Sequence, residues 1–207
     1  KNGLTIKYKQ ELSELEAFFC LALNYTTKKN IDSTDIRLEA MKKCFNGDRR
    51  VYFHANEIQQ ILDIISFVRK FKIKHPVIVG GYDAPIAGKR LKDAKIPVMV
   101  RRTHNLPDMS DDPVDYCFRL PSMLKKHGIL FCLENSGDME AMNARNIPFL
   151  AGTTTSYGLK EEEAIEAISL STCKILGIEK KYGSIEKGKS ATFFISDGNA
   201  LDMRTNN

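Results

Sequence analysis

The sequence predicts an α/β fold built on a parallel sheet, on three observations. Short apolar runs (Val51-Tyr52-Phe53, Val77-Ile78-Val79, Val98-Met99-Val100 and residues 129–133) alternate with helix-length amphipathic stretches, the texture of βαβ units. Those runs lack hydrophobic–polar alternation, which suits strands buried on both faces. The composition is that of a globular chain. It is 43% hydrophobic and 28% charged over 207 residues, room for one large domain or one domain with a small appendage.

The elements follow in order. Leu12, Leu15, Phe18, Phe19, Ala22 and Leu23 recur at spacings of three and four, predicting a helix over residues 4–26. Ser33 and Thr34 introduce a second helix carrying Ile36, Leu38, Met41 and Phe45, which stops at Asn46-Gly47. The first strand run leads into a helix over 58–71. The second closes on Gly80-Gly81 and leads into a short helix over 86–94; the third, introduced by Pro97, leads to a helix over 118–126. After the fourth run, a helix over 139–146 and a Pro148-Phe149-Leu150 connection precede a long helix over 161–176. Three glutamates suit the positive end of its dipole, and Gly177 caps its far end. Residues 182–197 read as strand, turn, strand, too small to fold alone.

Several function classes fall away. No apolar run reaches the roughly 18 residues of a membrane span. The net charge of +5 comes from 31 basic and 26 acidic residues mixed along the chain, not from a nucleic-acid stripe. The expected partner is therefore a small-molecule substrate, with no nucleic acid and no membrane. Five widely spaced cysteines without a CxxC pair read as reduced thiols in a reducing compartment. The chain opens on Lys1-Asn2-Gly3 with neither methionine nor signal peptide, and is read as a fragment, so the cytoplasm is one expected location among others.

In parallel α/β sheets the chemistry gathers at the C-terminal ends of strands. His54 follows the first run directly, where an imidazole serves as metal ligand, general base or structural hydrogen-bonding group. Gly80-Gly81 does not fit a GxGxxG phosphate loop and reads better as a backbone requirement for glycine. Arg101-Arg102-Thr103-His104 places cations and an imidazole at the third strand end, as an anion-binding set or a solvated loop. The fourth ends in Glu134-Asn135-Ser136-Gly137-Asp138, whose carboxylates suit acid, base or ligand roles. His75 and His127 precede strands and read as surface residues.

A resemblance goes further. Residues 158–165, then Ser171-Thr172-Cys173-Lys174-Ile175-Leu176-Gly177, then Gly183-Ser184-Ile185-Glu186-Lys187-Gly188-Lys189-Ser190-Ala191, resemble the C-terminal signature of the amidohydrolase superfamily. Phe53-His54-Ala55-Asn56, Val77-Ile78-Val79-Gly80-Gly81, Pro97-Val98-Met99-Val100 and Asp112-Pro113-Val114-Asp115 are most similar to its imidazolonepropionase-like branch.

The resemblance implies the C-terminal half, strands five to eight, of a TIM-like (βα)8 metal-dependent hydrolase barrel in residues 1–176. Residues 177–207 would begin a composite β-sandwich. It also implies hydrolysis of carbon–nitrogen bonds, other than peptide bonds, in small and often cyclic substrates. Full-length members use a divalent metal, zinc or iron, and this stretch alone is expected to hold none tightly. On this resemblance His54 stands at the fifth-strand metal position, and Gly80-Gly81 replaces the sixth-strand histidine. The catalytic aspartate position reads Ser136, so Asp138 or Glu134 is the candidate catalytic carboxylate; Arg102 and His104 are the candidate substrate-binding residues. Ala191-Thr192 replaces the usual Ala-Asp. The fragment alone is expected to be inactive, and its open half-barrel to pair with a second copy. The alternative is a catalytically degenerate barrel with a structural or ligand-binding role.

Overall fold

The computed structural model describes residues 2–27, 33–135 and 140–205, without the side chains of 2–5 and 140–141. It forms two compact units. The first comprises the described part of Lys1–Val51 with Asp63–Pro76, and the second Tyr52–Leu62 with the described part of Val77–Asn207.

In the first unit, α1 (Asn2–Thr27) and α2 (Ile36–Asn46) pack as a helical pair. Ala22, Tyr25 and Leu38 form its core, flanked by Phe18, Met41 and Phe45. Phe19 meets the rings of Phe45, Phe67 and Phe71, with centroids 4.8–5.9 Å apart. The N-cap of α2 is Asp35, one residue past the expected Ser33-Thr34 start: its carboxylate accepts from Arg37 N and Leu38 N. Gly47 ends α2 at φ 92°, as Asn46-Gly47 predicts.

The sheet has four strands in sequence order: β1 (Val51–Ala55), β2 (Pro76–Gly80), β3 (Val98–Arg101) and β4 (Phe131–Glu134). β2, β3 and β4 pair in parallel. At β1 the bonds Val51 N to His75 O and Gly81 N to Ala55 O advance together, as in a parallel pair. A sequential order has no switch point, unlike a doubly wound sheet. The crossovers are α3 (Ile58–Phe71), α4 (Gly88–Ala94) and α5 (Tyr116–Lys126). Ile78, Val98, Val100 and Cys132 are fully buried, in line with the absence of alternation. The free thiols Cys117, Cys132 and Cys173 are buried too, and burial pushes Cys132 up to about 12.

Beyond β4 the structure departs from the expectations in four places. The expected helix over 139–146 is one turn, α6 (Glu140–Asn143), running into a 3-10 turn. The expected connection at Pro148 is instead a helix, α7 (Ile147–Thr155). Proline sits in its first turn, where a missing N–H costs nothing. The single helix over 161–176 is two, α8 (Glu161–Ile168) and α9 (Leu170–Leu176), broken at Ser169 with φ −129° and ψ −93°. There Ser169 Oγ donates to Ile165 O and Thr172 Oγ1 to Ala167 O, side-chain bonds that compete with the helical ladder.

Residues 182–197, expected as strand, turn, strand, contain no strand. They run as turns and extended chain with Ile185, Phe193 and Ile195 exposed. An apolar run becomes a strand only beside a partner, and none of the described residues pairs with this one. Among the described residues no helix is long and apolar enough to cross a membrane.

Candidate functional site

The sheet presents two faces to its C-terminal edge. Val77 and Cys132 cluster with Ile175 of α9, and Met99 packs against them, so these three strand residues share one face. The register pairs Met99 with Cys132 and Arg101 with Glu134, which carries that face up to Arg101 and Glu134. Ile78, Val98, Val100 and Leu133 occupy the other face, and Arg102 and Asn135 continue it. The structure thus separates residues that are adjacent in sequence. Arg102 and Asn135 stand on one side, and their neighbours Arg101 and Glu134 on the other.

Arg102, His104 and Asn135 line one cavity of about 850 Å³ at the ends of β3 and β4. Its other walls are α7, through Phe149 and Thr153, and the C-terminal segment, through Asn199 and Leu201. The volume suits a small molecule, and the lining is largely polar. His104 Nε2 lies 2.9 Å from Thr153 Oγ1, and Thr153 Oγ1 donates in turn to Phe149 O at 3.0 Å. The hydroxyl proton is therefore committed to the helix, so His104 donates from Nε2 and Nδ1 is left as an acceptor. Burial, then the Arg102 charge, pushes the His104 pKa below its ordinary range, favouring that neutral form. Phe118 of α5 backs the imidazole at 5.2 Å and stacks on Tyr157.

Glu134 reaches the edge on the opposite face, where its Oε1 is buried without a hydrogen-bond partner among the described residues. Thr103 Oγ1, on a residue only 2% exposed, is buried and unpartnered as well. An orphaned buried oxygen costs stability, which is common where a group is held for a ligand. Asp138 and Ser136 lie outside the described residues. His54 is exposed on β1, three strand spacings or about 14 Å across the sheet from β4. Among the described residues no three His, Cys, Asp or Glu side chains converge as metal ligands. These side chains do not fit a divalent-metal centre by themselves, since a catalytic zinc site takes three protein ligands.

Gly80-Gly81 meets a backbone requirement. Both glycines have positive φ, 103° and 70°, and a Cβ on Gly81 would strike Val98 Cγ1. Gly81 N donates to Ala55 O at 2.7 Å, tying β1 to β2 at the functional edge. Sequence reasoning missed the clamp beside them. Tyr82 OH donates to Asp112 and accepts from Asp108 N, while Tyr116 OH donates to Tyr82 O. These bonds tie down the loop after β3, and burial pushes Tyr116 up to about 12. Its one sequence trace is Asp112, inside a segment singled out above for resemblance alone. His75 and His127 are exposed, as expected of surface residues.

The model of the amidohydrolase family matches residues 28–206. An amidohydrolase from Thermotoga maritima MSB8 is similar at 26% identity and TM-score 0.72, over 98% of this chain and 51% of that one. A prolidase complexed with N-methylphosphonate-L-proline (16% identity, TM-score 0.56, 78% of this chain and 41% of that one) and another amidohydrolase (16%, 0.54, 79% and 41%) share the fold. The chain thus spans about half the length of these structures or less. A search of curated proteins returns no significant match.

Proposed function

The chain belongs to the amidohydrolase family, and from that premise we propose that it is the C-terminal half-barrel of a hydrolase. The bond cleaved is a carbon–nitrogen bond, other than a peptide bond, in a small substrate of the cyclic kind handled by imidazolonepropionase-like enzymes. The observation carrying this reading is the polar cavity at the C-terminal ends of β3 and β4, where Arg102 and His104 meet. Sequential parallel strands and half-length coverage of the similar structures support the half-barrel.

The residues divide the work by charge. Arg102 offers a permanent cation to an anionic group of the substrate. His104, neutral and fixed through Thr153, accepts a hydrogen bond at Nδ1 and orients a ring N–H. Glu134 lies on the opposite face of the sheet and does not line this cavity, so no proton transfer is assigned to it. Members of the family generally use a divalent metal; the described side chains do not assemble one, and no step here is routed through it. A second reading, a degenerate barrel that binds a ligand without turnover, rests on Gly80-Gly81, which offers no ligating side chain where the resemblance places a sixth-strand histidine.

A panel of imidazolones, hydantoins and N-acyl amino acids, followed by NMR of the His104 imidazole and by product release, tests the proposal. A cyclic member should shift the His104 signals, and Arg102→Gln should weaken its binding by about tenfold or more. Ring opening of a bound cyclic member supports the hydrolase; binding without turnover supports the second reading. No binding by any member overturns both.

A further inference from the structure

The C-terminal segment does not simply trail from the second unit. Leu201 is 6% exposed, although the apolar run before it, Phe193-Phe194-Ile195, is 61–84% exposed. Its seat is Gly152, in the middle of α7. A Cβ there would lie far inside contact distance of Leu201 O and 3.2 Å from Leu201 Cβ. The backbone of the segment therefore lies directly on the helix at the one residue of α7 that has no side chain. The segment also carries its own local order. Asn199 Oδ1 accepts from Leu201 N at 2.9 Å, and Asp202 N donates to Asn199 O at 2.9 Å. Arg204 grips Asp202 through Nε and Nη2 at 2.5–3.1 Å, holding that carboxyl down at about 2. Asn199, Asp202 and Arg204 face the same cavity as Arg102 and His104.

We propose that Asn199–Arg204 is a strap that walls one side of the open Arg102–His104 cavity, held in place by Leu201 seated on Gly152. The seat is apolar and sterically exact in the sense that only glycine admits the Leu201 carbonyl; the cavity side of the strap is polar. Unseating Leu201 takes one wall away from a cavity whose Arg102 and His104 are already exposed to water. This inference stands on the packing of the segment and goes beyond the hydrolase reading, since it holds whatever the cavity binds.

Hydrogen exchange followed by mass spectrometry on the whole chain tests it without any ligand. Gly152→Val fills the seat from the helix side, and Leu201→Asp removes the anchor from the strap side without touching the sheet. Both should speed exchange in residues 198–205 by at least about tenfold, and Leu201→Asp should also speed exchange over the cavity-facing amides of 149–156. Core amides of β2 and β3 should be unchanged in Leu201→Asp, which separates unseating from global unfolding. If exchange over 198–205 is already as fast in the parent as in Leu201→Asp, the strap is not seated and the proposal fails. If 198–205 speeds up while 149–156 does not, the segment packs on α7 without shaping the cavity wall, and the proposal fails as well.

Discussion

The two ends of the sheet's C-terminal edge are built differently. At the β3–β4 end Arg102, His104 and Asn135 converge on a cavity, α7 and the C-terminal segment wall it, and Glu134 carries an orphaned oxygen. At the β1 end His54 stands exposed, and the neighbouring turn is fixed by backbone, with Gly81 N on Ala55 O. The difference teaches that a strand-end position is not sufficient for a site. Side chains from several elements must also meet around a cavity, as they do at the β3–β4 end.

The largest effect should come from loosening the end that is built. Leu124, fully buried in α5, accepts through its carbonyl from Ile129 N at the entry to β4. Leu124→Ala should cost about 2–5 kcal/mol in urea denaturation. His54→Ala at the other end should change stability by less than about 0.5 kcal/mol. Equal losses in the two variants would erase the contrast.

Glu134 sharpens it. If its carboxylate is not kept for the fold, Glu134→Leu removes an unsatisfied oxygen and should hold or raise stability by up to about 1 kcal/mol. A clear loss in thermal denaturation would show that Glu134 is a structural partner.

The smallest effect is a pH dependence at the cavity. His104 is held below its ordinary value of 6.5, by burial first and by Arg102 second. Between 6.5 and the lowered value the unfolded chain binds the proton more readily. Stability that is complete above pH 6.5 should therefore fall as the pH drops through that window. The slope should shrink in Arg102→Gln, which removes the second cause, and a proton NMR titration of His104 should show its midpoint moving up. A midpoint at or above the ordinary value in the parent would contradict the geometry.

How much of this was legible in the sequence follows from where each signal resides. The four strands were visible because β-branched runs bounded by Pro, Gly and charge are local features, and burial on both faces removes alternation. The helix α7 was hidden by Pro148, which reads as a break unless its place in the first turn is known. With α7 went the far wall of the cavity, so Arg102 and His104 could be named as substrate-binding residues but not joined to Thr153. The break at Ser169 depends on hydroxyls turning back on the helix, a choice that apolar periodicity does not report. Residues 182–197 carried a strand pattern without a strand, because pairing is a property of two segments and the pattern describes one. The orphaned oxygens of Glu134 and Thr103 are likewise tertiary facts, invisible until the neighbours are placed.

The central claim is that this chain supplies a substrate-holding end at β3–β4 and not, by itself, a metal centre at His54. Elemental analysis of the dialysed chain, with His54→Ala beside it, tests that claim most directly. The account predicts no stoichiometric zinc, iron or manganese in either protein, because a single exposed imidazole is not a three-ligand site. About one equivalent retained by the parent and lost in His54→Ala would contradict it and move the chemistry to the β1 end.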